Sequence, residues 1–239
     1  MSKRAIVIGA SSGLGKELAK LLARDGYEVG LAARRVALLE ELGREISTPT
    51  HVSRIDVTHT AEARRQLEAF IGEMGGVDLI VISSGVSIID PTWDEELQTI
   101  EVNAAGFAAL ANVSIHYFME RGSGHLVGIS SIGALRPTGT STVYSASKSF
   151  VSRYLEGLRL MVDKRGLGIH VTEVQPGYVA TPMTEGRGGM FWVAPVDEAA
   201  RQILRAVRKR KRHVYVTRRW RLVAWALKSV PYPILSRMS

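Results

Sequence analysis

Short apolar runs alternate with longer segments of helical period along nearly the whole chain, and this alternation limits the fold more than any other feature. Runs near 4–8, 27–33, 50–55, 77–82, 124–130, 168–174 and 212–217 read as strands of a parallel sheet covered on both faces. Between the first two, Leu14, Leu18, Leu21 and Leu22 fall at i, i+4, i+7 and i+8, one apolar stripe that ends at Asp25-Gly26. Further helices are expected near 36–46, 60–74, 94–120, 142–165 and 196–209. The repeated order of strand and helix predicts an α/β fold, a doubly wound parallel sheet of Rossmann type with about seven strands. No internal repeat or linker interrupts it, so residues 1–217 are expected to form one domain, followed by a short arm, 218–239.

In such sheets ligands lie beyond the carboxyl ends of the strands. After the first strand comes Gly9-Ala10-Ser11-Ser12-Gly13-Leu14-Gly15, which runs straight into the leucine-striped helix. A tight glycine turn lets backbone approach a pyrophosphate, whose charge is met by free N–H groups at the helix start. Gly9, Ser11, Ser12, Gly13, Leu14 and Gly15 are therefore expected to hold a dinucleotide. Where the second strand ends, an acidic residue would hold the ribose hydroxyls of NAD; here stand Arg34 and Arg35. Their guanidinium forks suit a 2′-phosphate, which points to NADP, although arginines capping a strand end in solvent would read the same. Asp56 and Val57, after the third strand, are expected at the adenine edge, or else as a solvated strand end.

At the fifth strand the chain reads Gly128-Ile129-Ser130-Ser131, and Tyr144 and Lys148 follow at the start of a helix, four apart and so on one face. A phenol is a poor base at its free pKa of ~10. One positive charge ~5 Å away at an effective dielectric of ~20 contributes ~3.3 kcal/mol, roughly 2.4 pKa units, so Lys148 is expected to bring Tyr144 toward neutrality. There Tyr144 would act as a general acid or base.

Together these features resemble the short-chain dehydrogenase/reductase family, over nearly all of residues 3–217. The resemblance implies a nicotinamide-dependent oxidoreductase acting on a carbonyl or secondary alcohol, with Tyr144 as proton-transfer residue and Ser131 orienting the oxygen. Lys148 would hold the nicotinamide ribose, and Asn103, in Val102-Asn103-Ala104-Ala105-Gly106, would distort its helix to anchor a water. It further implies that Pro176, Gly177, Val179 and Thr181 bind on the nicotinamide side, and that the helices near 94–120 and 142–165 pair in a homo-oligomer. Two departures stand out: Ile82-Ser83-Ser84-Gly85 replaces the family's asparagine-asparagine-alanine-glycine turn, and Ile8 stands where threonine often precedes the first glycine. Ser83 and Gly85 are still expected on the cofactor wall. Two other functions fit part of the pattern, an NADP-dependent epimerase or dehydratase and a non-enzymatic NADP redox sensor. The first usually adds a large C-terminal domain, and the second has no need of Ser131, Tyr144 and Lys148 together.

Composition adds limits. Without cysteine there is no disulfide, thiol nucleophile or cysteine-ligated metal, and the six histidines lack ligand spacing, so no metal site is expected and a cytoplasmic location fits. The net charge of +8 is uneven: residues 201–239 hold 12 of the 31 Lys and Arg and no Asp or Glu, leaving 19 against 23 elsewhere. Within that end, Trp220 and Trp225 flank a short apolar stretch bordered by cations, as in a segment lying on an anionic membrane surface, or in an arm that packs on a neighbouring subunit. Nucleic acid is not an expected partner, since interleaved stacking aromatics are absent. Met190, Phe191 and Trp192 are expected in a short lid over a lipophilic substrate, or packed on the body or a partner.

Overall fold

The computed structural model describes residues 2–231. Seven strands, β1 (Arg4–Ile8), β2 (Glu28–Ala33), β3 (Thr50–Arg54), β4 (Leu79–Ile82), β5 (Ser123–Ile129), β6 (Gly168–Pro176) and β7 (His213–Val216), form one sheet in the order β3-β2-β1-β4-β5-β6-β7. Every pairing is parallel, as with Ile6 opposite Ile80 between β1 and β4. The strand order reverses direction between β1 and β4, and there the carboxyl ends of the strands open a crevice.

The apolar runs sort onto two faces with the two-residue period of a strand. Ile6, Ile8, Ile80 and Ile82 point into a core with Phe70, Leu110 and Leu155, from α3 (Thr60–Glu73), α5 (Phe107–Arg121) and α6 (Thr142–Asp163). Ala5, Val7, Leu79 and Val81 face the other way, onto Leu18, Leu22, Leu39 and Ile203 of α1 (Gly13–Arg24), α2 (Val36–Glu45) and α7 (Val196–Arg208). Both faces are covered, which is why the strands could be apolar throughout.

The helix expected over 94–120 is divided. α4 (Trp93–Ile100) leads into a π-helical turn, Glu101–Gly106, before α5. The wide turn carries Asn103, whose side chain bonds laterally to another segment, and such insertions are a known cause of local unwinding. Strand β4 begins at Leu79, two residues later than expected, because the Val77 peptide group bonds the Tyr117 hydroxyl and Arg121 instead of the sheet. After β7, α8 (Trp220–Ser229) turns back onto the body, with Trp220 and Ala224 buried. Residues 232–239 of the expected arm lie outside the described residues.

Candidate active site

At the end of β1 the chain turns at Gly9, whose φ of 87° is open to glycine and costly for other residues. Gly9 and Ala10 both donate to the Ala32 carbonyl of β2, at 2.7 and 3.3 Å, which draws the turn close to the sheet. α1 then begins at Gly13 without a side-chain cap and without an acidic residue in its first turn. Its leading N–H groups and positive dipole end therefore face the crevice lined by Gly9, Ser11, Ser12, Gly13 and Leu14. Gly15 sits behind them; a Cβ there would strike the Gly9 carbonyl, so this glycine lets helix and turn pack together.

The two arginines after β2 part company. Arg35 donates from Nη2 to the Ser11 and Ser12 hydroxyls, at 2.8 and 3.0 Å, while Arg34 is exposed at the same end of the crevice. Ile55 and Val57 line the adjoining wall. The Asp56 carboxylate instead accepts from the Thr58 backbone N–H at 3.1 Å and hydroxyl at 2.8 Å. Burial works to raise its pKa, but the two Thr58 bonds and the charge of Arg34 outweigh it and hold the carboxyl below its usual value. Ser83 ties to β1 through its N–H to the Ile8 carbonyl at 2.8 Å, and Ser83 and Gly85 both line the crevice.

At the other end, β5 delivers Ser131, which accepts from the Gly133 N–H at 3.1 Å, and α6 delivers Tyr144 and Lys148. All three line the crevice together with Pro176, Gly177, Val179 and Thr181 from the loop after β6. Lys148 is 5% exposed and donates to the Ile129 carbonyl at 3.1 Å. Burial pushes its ammonium down to about 8. Its Nζ lies 5.9 Å from the centre of the Tyr144 ring.

Here the sequence expectation needs correction: the Tyr144 pKa is raised. Burial is the largest influence, and the Ser131 hydrogen bond and the charge of Arg187 only partly oppose it. Lys148 points past the phenol to a backbone carbonyl, and the cation that acts on the phenol is Arg187 rather than Lys148, so the lowering assumed from spacing is not supplied.

Asn103 is fully engaged by the protein. Its Oδ1 accepts from the Val86 N–H at 2.9 Å, and its Nδ2 donates to the Val86 carbonyl at 2.8 Å and to the Ser147 hydroxyl at 3.0 Å. Ser147 in turn donates to the Tyr144 carbonyl at 2.7 Å. The amide thus links the loop after β4 to the turn of α6 that carries the tyrosine. A Cβ on Gly85 would lie 3.2 Å from Lys148 Nζ and 3.3 Å from Asn103 Oδ1, so these three positions meet.

Sequence reasoning missed several residues here. Thr184 donates to the Val179 and Thr181 carbonyls, at 2.7 and 3.0 Å, and fixes the loop around Thr181. Arg187 reaches across the crevice to Ser87, with bonds of 3.1 Å to its hydroxyl and 2.6 Å to its carbonyl. The Thr181/Thr184 spacing was a readable signal for the first, whereas nothing local marks Arg187. Met190, Phe191 and Trp192 do not line the crevice; Phe191 and Trp192 pack on Trp220 at 5.0 and 6.4 Å between ring centres. Among the described residues, the charged ones lining the crevice are Arg34, Arg35, Lys148 and Arg187, with no Asp or Glu, a set suited to an anionic ligand.

The family model described as short chain dehydrogenase matches residues 3–189. The chain belongs to the short-chain dehydrogenase/reductase family. Among its relatives is an uncharacterized oxidoreductase of Staphylococcus epidermidis, 33% identical over 188 residues, which are 77% of this chain and 81% of that one. A short-chain dehydrogenase/reductase from Burkholderia phymatum, solved in complex with NAD, superposes with a TM-score of 0.85 at 18% identity, covering 94% of this chain and 92% of the other. A short-chain dehydrogenase from Sphingobium yanoikuyae, in complex with NADPH, gives 0.79 at 24% identity, covering 96% and 97%. Membership makes the protein an oxidoreductase of a family that uses nicotinamide cofactors.

Proposed function

We propose that this family member is an NADP-dependent dehydrogenase/reductase that interconverts a carbonyl and a secondary alcohol. The observation that carries the reading is the convergence of Tyr144, Ser131 and Lys148 at one end of a crevice whose other end is an uncapped, acid-free helix start beneath Arg34 and Arg35. That donor set fits a dinucleotide: Gly9, Ser11, Ser12, Gly13 and Leu14 for the pyrophosphate, Val57 beside the base, and Ser83 and Gly85 along the wall. Pro176, Gly177, Val179 and Thr181 would border the nicotinamide, which when bound supplies or accepts the hydride.

In the reductive direction Tyr144 gives its phenolic proton to the substrate oxygen, and its raised pKa keeps that proton in place at neutral pH. Ser131 donates to the same oxygen and orients it. Lys148, which lines the same end of the crevice, would hold the nicotinamide ribose. Asn103 acts as a positioning residue, through Ser147 and the Tyr144 backbone. Preference for NADP is supported by Arg34, exposed where an acidic residue would repel a 2′-phosphate. Self-association is supported by Trp93, Leu97 and Ile100, exposed at i, i+4 and i+7 along α4 beside α6.

The test is oxidation of NADPH and of NADH against a panel of ketones, aldehydes and 3-oxoacyl thioesters, with Tyr144→Phe as control. Turnover should be found with NADPH, and Tyr144→Phe should abolish it while cofactor affinity stays within a few fold. A Tyr144→Phe variant with native rates would refute the proton-transfer role.

A further inference from the structure

The basic C-terminal end is not one patch. The 208–212 run precedes β7, whose four residues span about 13 Å, so it lies at the amino end of the strands while α8 follows their carboxyl end. There Arg208 pairs with Asp25 at 2.5 Å and Arg212 with Asp163 at 3.2 Å. The cations that remain beside α8 are Arg218, Arg219, Arg221 and Lys228, none in a salt bridge among the described residues.

α8 itself is two-faced. Trp220, Val223, Ala224 and Leu227 turn inward, while Leu222 and Trp225 stand outward with 69% and 75% of their surface exposed. Exposed Phe191 and Trp192 pack on Trp220 at the start of the helix, and Arg219 lies over the Trp192 ring at 5.3 Å. Both ends of α8 are tied to loops that border the catalytic tyrosine. Trp220 packs on Tyr178, which lines the crevice, at 5.4 Å between ring centres; Arg136, between Ser131 and Tyr144, donates to the carbonyls of Leu227 and Val230 at 2.9 and 3.2 Å.

We propose that the outer face of α8 docks the protein on an anionic lipid surface, and that the neighbouring mouth of the crevice takes a lipophilic carbonyl from that surface. The second half rests on the oxidoreductase reading; the first does not. An outward indole and leucine ringed by unpaired cations is the chemistry of a segment seated among anionic headgroups, and ten residues are too few to cross a bilayer. A second copy is the poorer occupant, because a two-fold contact would set the same cations against each other. Docking through α8 would also turn the loops around Tyr144 toward the apolar phase, leaving the Arg34 end of the crevice free for a water-borne cofactor.

The experiment uses the full chain, with Leu222→Ser/Trp225→Ser and Arg218→Glu/Arg221→Glu as surface variants whose melting temperatures should match the parent. Sedimentation with vesicles of equal parts phosphatidylcholine and phosphatidylglycerol should carry the parent down, and phosphatidylcholine alone should not. High salt should release it, since exposed charges are screened within roughly 8 Å at physiological ionic strength. Each variant should partition at least tenfold less. Both should also lose reduction of a long-chain 2-alkanone held in the vesicles, while keeping reduction of a short soluble ketone. A parent that stays in the supernatant overturns the docking. So does a Leu222→Ser/Trp225→Ser protein that keeps its vesicle binding but falls to monomer mass, which would assign the face to a second copy. Equal loss on both ketones overturns the substrate half. Intact vesicle binding with no turnover of any carbonyl would support the docking and count against the oxidoreductase reading alone.

Discussion

Replacing Lys148 by methionine should destroy activity and yet stabilise the cofactor-free protein. The ammonium is 5% exposed, and burial lowers its pKa to about 8 from the usual 10.5. Each unit is worth ~1.4 kcal/mol, so at pH 7, below both values, the folded state carries a penalty of ~3 kcal/mol for keeping this group charged. The sign follows from proton binding. Between about 8 and 10.5 the unfolded chain holds the proton and the folded chain has released it, so stability rises with pH through that window. Methionine keeps the length and apolar stem and removes the charge, but it leaves the Ile129 carbonyl without its 3.1 Å donor, a loss of ~1 kcal/mol. A net gain of ~2 kcal/mol remains at pH 7, or about 4–8 °C in melting temperature for a domain of this size. Thermal and urea unfolding at pH 7 and pH 9.5 measure it: the parent should gain roughly 2 kcal/mol from the single lysine across that interval, and Lys148→Met should lack this gain. A variant that melts below the parent at pH 7, with a parallel pH dependence, would refute the account of Lys148 as a buried, destabilising cation.

Two further substitutions probe the cofactor end and the α8 anchor. Arg34→Asp should reverse or erase the preference for NADPH over NADH, read as the ratio of kcat/KM for the two cofactors; an unchanged ratio would remove Arg34 from the 2′-phosphate site. Gly177→Ala places a methyl inside the space filled by the Trp220 indole, so a loss of about 1–3 kcal/mol is expected from overpacking. Combined with Trp220→Leu the same change should cost much less, and additive losses in that double-mutant cycle would show that the two positions are not in contact.

Local order was legible in the sequence wherever the cause was itself local. The short apolar runs, and the stripe of Leu14, Leu18, Leu21 and Leu22, depend on strand and helix geometry alone, and the repeated order of strand and helix that predicts the seven parallel strands follows from them. The glycine turn was readable because a positive φ and a close strand-to-helix passage leave little choice of residue. Tyr144 and Lys148 shared a face because four residues make about one helical turn. What spacing could not give was environment. Whether the Lys148 ammonium acts on the phenol or is held on the Ile129 carbonyl depends on what covers it, and that comes from β5 and from the loop after β4. The same holds for Asn103, whose partners Val86 and Ser147 lie 17 and 44 residues away, and for Arg187, which meets Ser87 across 100 residues. Charge counting has the same limit. Residues adjacent along the chain before and after β7 sit at opposite ends of that edge strand, where Asp25 and Asp163 pair with Arg208 and Arg212 of one group while no carboxylate pairs with the other among the described residues. Composition decided how many cations this end carries, and only the packing of distant segments decided which of them meet a carboxylate.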